Sequence, residues 1–320
     1  MSAVRSRVSA KRFAAIDIGT NTILLLVAEL GGNGTFQVLD DRAEITRLGE
    51  RVDHAHKIGP GGEERSVQVL KSHLERCKDL GVDEIVVVGT SALRDARNGG
   101  DFKARLKREL GLDLRVLSGE EEAAYCYLAV QRGLALEAKE VLVVDVGGGS
   151  TELIWGKGSA LHRSISLDLG SVRLTERFLI SDPARDEECA ALTRTVDCEM
   201  DPVRVSWRIE DHFHAMVGIA GTFTTLAAIE KGLRRYSHSE VHGSRLSRAE
   251  VERQIQLFKG KTIAERREIP GLEPERADVI LAGAMLIDRI MALFHVDQVT
   301  VSDQGIRYGL LHEKLGAVHG

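Results

Sequence analysis

Cysteine is scarce in this chain: four residues in 320, at positions 77, 126, 189 and 198, with no CxxC pair among them. That spacing offers neither a zinc knuckle nor a dithiol redox motif. Cys77 and Cys126 sit in apolar patterns expected of buried free thiols, which fits a reducing compartment, so a cytoplasmic protein is expected. Excess positive charge is also lacking. A net charge of −5 and a pI near 6.2 exclude the globally basic surface of a dedicated nucleic-acid binder, and no nucleic acid polymer is expected as a partner. No stretch approaches the ~18 consecutive apolar residues of a spanning helix, so no membrane partner is expected. The first dozen residues, MSAVRSRVSAKR, are basic without an apolar core and do not read as a signal peptide. His212 and His214 alternate as on a strand, but no cysteine or third ligand accompanies them, and a structural role is expected.

What the chain does have is length and apolar content. It is 43% hydrophobic, enough for roughly two domains with their own cores. It also has an internal repeat. Residues 14–27 read AAIDIGTNTILLLV, and residues 142–155 read LVVDVGGGSTELIW. With Asp145 set beneath Asp17, Gly19 meets Gly147 and Thr22 meets Ser150. Each copy reads as strand, tight turn, strand, with Gly and Asn supplying the turn dihedrals. Successive N–H groups in such a turn make an anion-binding nest. An aspartate that ends the first strand can hold magnesium or its waters. Gly19, Thr20, Asn21 and Thr22, with Gly147, Gly148, Gly149 and Ser150, are therefore the expected phosphate-binding backbone. Asp145 and Glu152 are the expected metal ligands, and Asp17 is expected to join them from the opposite side.

The duplication resembles the paired phosphate loops of the actin, Hsp70 and sugar-kinase superfamily. A third segment, VGIAGTFTTL at 217–226, resembles that superfamily's adenosine motif. More specific are GTSALRDARN at 89–98, SGEEEA at 118–123, LGSVRLTE at 169–176 and SDQGIRYGLL at 302–311. In this order they closely resemble the exopolyphosphatase and guanosine pentaphosphate phosphohydrolase (Ppx/GppA) family, in its short two-domain form without a C-terminal HD-type domain. The resemblance implies an α/β fold of two ribonuclease H-like lobes with a cleft between them. It implies hydrolysis of a terminal phosphoanhydride, Mg2+ or Mn2+ as cofactor, inorganic polyphosphate or guanosine pentaphosphate as substrate, and a homodimer.

It also implies that the catalytic base lies in SGEEEA. Glu122 is taken as that base ahead of Glu121, although by residue chemistry alone all three acids read equally well as first-turn residues favoured by the helix dipole. Ser118 and Glu121 form a possible capping box. Arg94 is expected to bind phosphoryl oxygens, with Asn98 ordering its loop. Arg173 is open between a substrate contact and an ion pair, and His242 reads as a loop-ordering residue. Arg234, Arg235, Arg245 and Arg248 are candidates for a polyphosphate track. A small-molecule kinase, a guanosine tetraphosphate sensor and an actin-like filament protein are the rival readings.

The hydrophobic patterning predicts strands near 13–18, 22–30 and 35–47, a helix over 61–80, a strand at 84–89, a helix at 101–110 and a strand at 113–117. A helix from about 119 leads to strands 141–146, 151–156 and 160–167. Helices follow within 171–179 and 184–208, then a strand at 215–219 and helices at 222–232, 247–260 and 274–295. Strand 297–301 precedes a last helix at 304–315. The expected lobes are 13–120 with the final helix (about 304–320), and 121–303.

Overall fold

The protein is described here by a computed structural model covering residues 11–31, 34–134, 136, 139–207, 213 and 215–318. His212 and His214 lie outside the described residues. The chain opens with β1 (Arg12–Ile18), β2 (Thr22–Leu30) and β3 (Phe36–Ile45). Next come α1 (Val52–Ala55), α2 (Pro60–Asp79), β4 (Glu84–Gly89), α3 (Ser91–Asp95), α4 (Gly99–Leu110) and β5 (Leu114–Val116). Helix α5 (Gly119–Gly133) leads to β6 (Glu140–Val146), β7 (Thr151–Lys157) and β8 (Ala160–Leu167). Then follow α6 (Ser171–Phe178), α7 (Asp186–Trp207), β9 (Ala215–Ile219), α8 (Ala220–Glu230), α9 (His238–Val241), β10 (Arg245–Ser247), α10 (Arg248–Lys259) and α11 (Ile263–Arg266). The chain closes with α12 (Ile280–Leu293), β11 (Gln298–Val301) and α13 (Ile306–Val318).

The strands form two sheets, ordered β3-β2-β1-β4-β5 and β10-β11-β9-β6-β7-β8. Read as β8-β7-β6-β9-β11, the second repeats the first. In both, the opening hairpin is antiparallel and the third neighbour pairs parallel to the first strand. This is the expected ribonuclease H-like α/β arrangement, present twice. The second sheet adds the short edge strand β10, antiparallel to β11. Parallel pairing needs covered faces, so after their first residues, Arg12 and Glu140, β1 and β6 are apolar runs broken only by Asp17 and Asp145.

One core packs α2 and α4 on the first sheet through Leu70, Phe102 and Leu106, and another packs α8, α10 and α12 on the second through Phe223, Phe258 and Leu286. A third core lies between the sheets. It joins Phe13 and Val88 to Val143 and Val217 through α5 and α13, which supply Cys126, Ala129 and Leu311. Helix α13 packs on β1 and β2, and α5 packs on β7 and β8.

Differences from the sequence pattern fall on short elements. The helix expected at 274–295 starts at Ile280, because Pro274 opens a separate 3-10 turn, Pro274–Arg276. Helices of four or five residues, such as α1, α3 and α9, complete barely one turn and leave no apolar period to read.

The α5–α13 crossing is close. A Cβ added at Gly309 would stand 2.2 Å from the Tyr125 carbonyl oxygen. Gly309→Ala should therefore force the helices apart and lower stability by about 1–3 kcal/mol. A urea midpoint equal to that of the wild type would show that the helices separate without cost.

Candidate active site

The two repeated turns are built alike. Gly19 N–H donates to the Thr22 carbonyl at 3.0 Å, and Gly147 N–H donates to the Ser150 carbonyl, also at 3.0 Å. The loops meet across the cleft: Thr20 Oγ1 lies 2.9 Å from Ser91 Oγ, and a Cβ at Gly149 would stand 2.7 Å from that same Ser91 oxygen. Both loops border a cavity of about 630 Å3. Gly19, Thr20, Asn21, Thr22, Gly147, Gly148 and Ser150 line it. Gly149 does not; its carbonyl points away and accepts from Arg173 Nε at 2.7 Å.

Strand register decides where the carboxylates fall. Asp145 on β6 is the direct cross-strand partner of Glu152 on β7. In the first copy the partner of Asp17 is Leu24, so only the second loop presents a paired set. Glu152, readable from sequence as a solvated strand residue, is 1% exposed and accepts from Ser166 Oγ at 2.7 Å. Cys126, a buried thiol as expected, donates to Asp145 Oδ2 at 3.2 Å.

Helix α5 brings in the fourth carboxylate. Ser118 and Glu121 form the capping box: Glu121 N–H donates to Ser118 Oγ at 3.1 Å, and Ser118 N–H donates to Glu121 Oε2 at 2.8 Å. Glu121 is thereby turned outward, while Glu122 is buried and lines the cavity. Arg94 pairs with Glu122 Oε2 and donates to the Leu117 carbonyl at 3.0 Å. It does not itself border the cavity, and neither Asp95 nor Asp101 is its partner. Asn98 orders the adjoining loop, its Oδ1 accepting from Ile58 N–H at 2.8 Å.

Burial, reinforced by the charges of Glu122 and Asp145 and opposed by Arg307, pushes the Asp17 carboxyl up to about 8. Burial also raises Glu122 to about 7, against the pull of Arg94. Asp145 is raised to about 6 by burial, with Cys126 acting the other way. Glu152 is raised well above its ordinary range by burial and by its acidic neighbours.

The third motif forms the far wall. The turn from β9 to α8 forces Ala220 into the left-handed region, φ 71°, a strain of about 1–3 kcal/mol that concentrates at ligand sites. Arg276 also borders the cavity: its Nη2 lies 3.4 Å from Thr22 Oγ1, and a Cβ at Gly221 would stand 2.3 Å from its guanidinium. Sequence reasoning missed Arg276, whose signal was the PGLEPERAD turn. Of the arginine track, Arg234 lines the cavity. Arg245 instead contacts Gln298, and Arg248 pairs with Asp288 and Glu252, so those two are no part of a cleft-side track.

The chain belongs to the Ppx/GppA phosphatase family. The family model matches residues 26–318. Exopolyphosphatase 2 of Mycobacterium tuberculosis is 33% identical over 311 residues, 93% of this chain and 97% of that one. The solved Aquifex aeolicus Ppx/GppA structure superposes with a TM-score of 0.81 at 35% identity, covering 97% and 99% of the two chains. An exopolyphosphatase from Cytophaga hutchinsonii gives 0.88 at 27% identity, covering 96% and 98%.

In this Ppx/GppA chain the back of the cleft is clamped. Arg173 pairs with Asp53 and Asp95 from the first lobe while holding the Gly149 carbonyl. Arg177 reinforces Asp53, and Glu176 accepts from Arg51 N–H at 2.8 Å. Of the two roles open for Arg173, the structure gives the ion pair. His242 ties α9 to the end of α5, with Nε2 3.1 Å from the Gly133 carbonyl and Nδ1 3.1 Å from Asp303 Oδ1.

The raised carboxyls carry a pH signature. Between about pH 4 and pH 8 the folded chain holds a proton on Asp17 that the unfolded chain has released, so this group's contribution to stability falls as pH rises. In metal-free buffer at pH 8, Asp17→Asn should be more stable than the wild type, on the order of 1–3 kcal/mol. Below about pH 4, where the group is protonated in both states, that advantage should vanish. Urea melts at both pH values check this, and a pH-independent difference would contradict the buried-charge account.

Proposed function

We propose that the protein is an exopolyphosphatase that hydrolyses the terminal phosphoanhydride of inorganic polyphosphate and releases orthophosphate. The observation that carries this is the placement of Glu122, a buried carboxylate with a raised pKa, in the same cavity as two phosphate loops and the Asp145–Glu152 pair. The similarity to chains named exopolyphosphatase supports it.

Phosphoryl transfer leaves a protein little covalent chemistry, so catalysis rests on positioning and charge. The N–H groups of the two turns receive the phosphoryl oxygens. Glu122 accepts the proton of the attacking water; a pKa near neutrality suits a base at physiological pH. Arg94 fixes the orientation of that carboxylate and stabilises its charged form. Arg276, beside Thr22, supplies positive charge at the opposite wall.

The donor set fits magnesium or manganese. Asp17 Oδ1 is buried with no hydrogen-bond partner, and Asp145 and Glu152 face each other across two strands. Among the described residues no three His, Cys, Asp or Glu side chains form a preformed cage. That matches an ion that keeps several waters and takes one or two carboxylates plus substrate phosphate. Asp145 and Glu152 would hold it, with Asp17 acting through water. Its chemistry would be to polarise the phosphoryl oxygens and offset the charge of the substrate.

Guanosine pentaphosphate is the second reading. Ala228, Leu233 and Leu272 give the cavity an apolar wall beside the α8 turn, a surface on which a base can lie.

The test is orthophosphate release in magnesium buffer, with long-chain polyphosphate, guanosine pentaphosphate and ATP offered in parallel. Polyphosphate should turn over. Glu122→Gln should lose about 10²–10⁴-fold in rate, and Glu121→Gln, which touches only the capping box, should stay within a few-fold of the wild type. Release from none of the three, with tight guanosine tetraphosphate binding, would leave a sensor in place of a hydrolase.

A further inference from the structure

Helix α13 begins at the cavity wall: Gly305, Ile306 and Arg307 all border it. The backbone N–H groups of these three residues have no acceptor among the described residues, as expected for the first turn of a helix. Such a terminus attracts anions only weakly in water, and alone it says nothing about a ligand. Here it is joined by a second group. Arg307 is 6% exposed, and its Nε is buried with no hydrogen-bond partner. One end of the guanidinium is occupied, Nη2 lying 2.8 Å from Asp41 Oδ1. Asp41 is itself held by the Tyr308 hydroxyl at 2.9 Å, with His238 Nε2 at 3.8 Å. A buried guanidinium N–H left unpaired is costly, which makes this one a donor waiting for an acceptor.

The place of Arg307 relative to the acids narrows the ligand. Its charge acts directly on Asp17, whose other electrostatic neighbours are Glu122 and Asp145. Of the other guanidiniums that line the cavity, Arg42 is committed to Asp40 and Arg276 to Glu273, while Arg234 comes from the loop after α8; Arg94, behind the lining, is committed to Glu122. A phosphoryl group lying against four carboxylates needs local positive charge, and Arg307 has an unpaired donor on that side.

We propose that Arg307 Nε and the first-turn N–H groups of α13 form a third oxyanion subsite, separate from the two phosphate loops, that binds the phosphoryl group nearest the acid cluster and then the orthophosphate it becomes. Asp41 is the resident counter-ion that keeps the guanidinium in place when no phosphate is bound. The subsite deepens the phosphohydrolase reading and rests on it for the identity of the ligand.

The measurement is calorimetric titration of the full chain with inorganic phosphate in magnesium buffer, which needs no turnover. Wild type should bind phosphate saturably. Arg307→Gln should weaken binding at least tenfold, and Arg307→Lys, which keeps charge but loses the Nε donor, should fall between. Asp41→Asn should tighten binding several-fold by releasing the guanidinium, and this gain should disappear in the Arg307→Gln background. If Arg307→Gln fails to fold, the Arg307→Lys variant alone and combined with Asp41→Asn carries the same comparison. Equal phosphate affinity in wild type and folded Arg307→Gln, or an Asp41→Asn gain of the same size in both backgrounds, would overturn the subsite. So would the absence of phosphate binding by wild type. Loss of the hydrolase reading would look different: phosphate binding would keep its dependence on Arg307 while polyphosphate remained uncleaved.

Discussion

Asp17, Glu122, Asp145 and Glu152 enter one cavity from four elements of the fold, and their mutual repulsion conditions everything around them. Carboxylates cannot all ionise at close quarters without compensation. Among the described residues, a single guanidinium, that of Arg94, pairs directly with one of the four. The remaining demand falls on protons, on a divalent ion, or on the positive groups facing the cavity. The strand and helix framework is what forces the four together: two lie at the ends of central strands, one across a hairpin, one on the first turn of α5.

The two halves of the molecule answer the same geometry with different chemistry. The hairpins match in hydrogen bonding and register, yet the residue opposite the strand-end aspartate is Leu24 in one and Glu152 in the other. One hairpin carries its strand-end aspartate alone; the other adds a second carboxylate opposite it. The lobes also meet on both sides of the cavity. Arg173 and Arg177 of the second lobe engage Asp53 of the first at the back, and at the other end Asp41 on β3 pairs with Arg307 inside the first lobe and stands 3.8 Å from His238 of the second. Charged side chains thus face one another across the lobes on two sides of the cavity.

Much of this was legible in the sequence, for identifiable reasons. The central strands carry long apolar runs whose only interruptions are the aspartates, so β1, β6 and their hairpins could be placed to within a residue or two. The choice between Glu121 and Glu122 rested on family likeness, and the structure separates the two: the capping box turns Glu121 to solvent, and helical geometry then sends its neighbour inward. What sequence could not give is contact between distant residues. Arg276 reaches Thr22, and Arg307 reaches Asp41, across more than 250 residues. Their signals were a proline-bounded turn and a motif without an assigned chemistry. Arg245 on β10 and Arg248 on α10 lie off the cavity, because charge density along a chain does not say which way a strand or helix turns its side chains.

The helix pair between the sheets has a consequence for how the molecule is made. The core shared by both lobes draws on Phe13, near the start, and on Leu311 and Leu315, in the last helix. The first sheet therefore keeps part of one face uncovered until α13 has folded back onto β1 and β2. Contacts of such long sequence separation slow folding and prolong the exposure of apolar surface. The lobes are duplicates in architecture, but neither completes its burial without the helices that the two share.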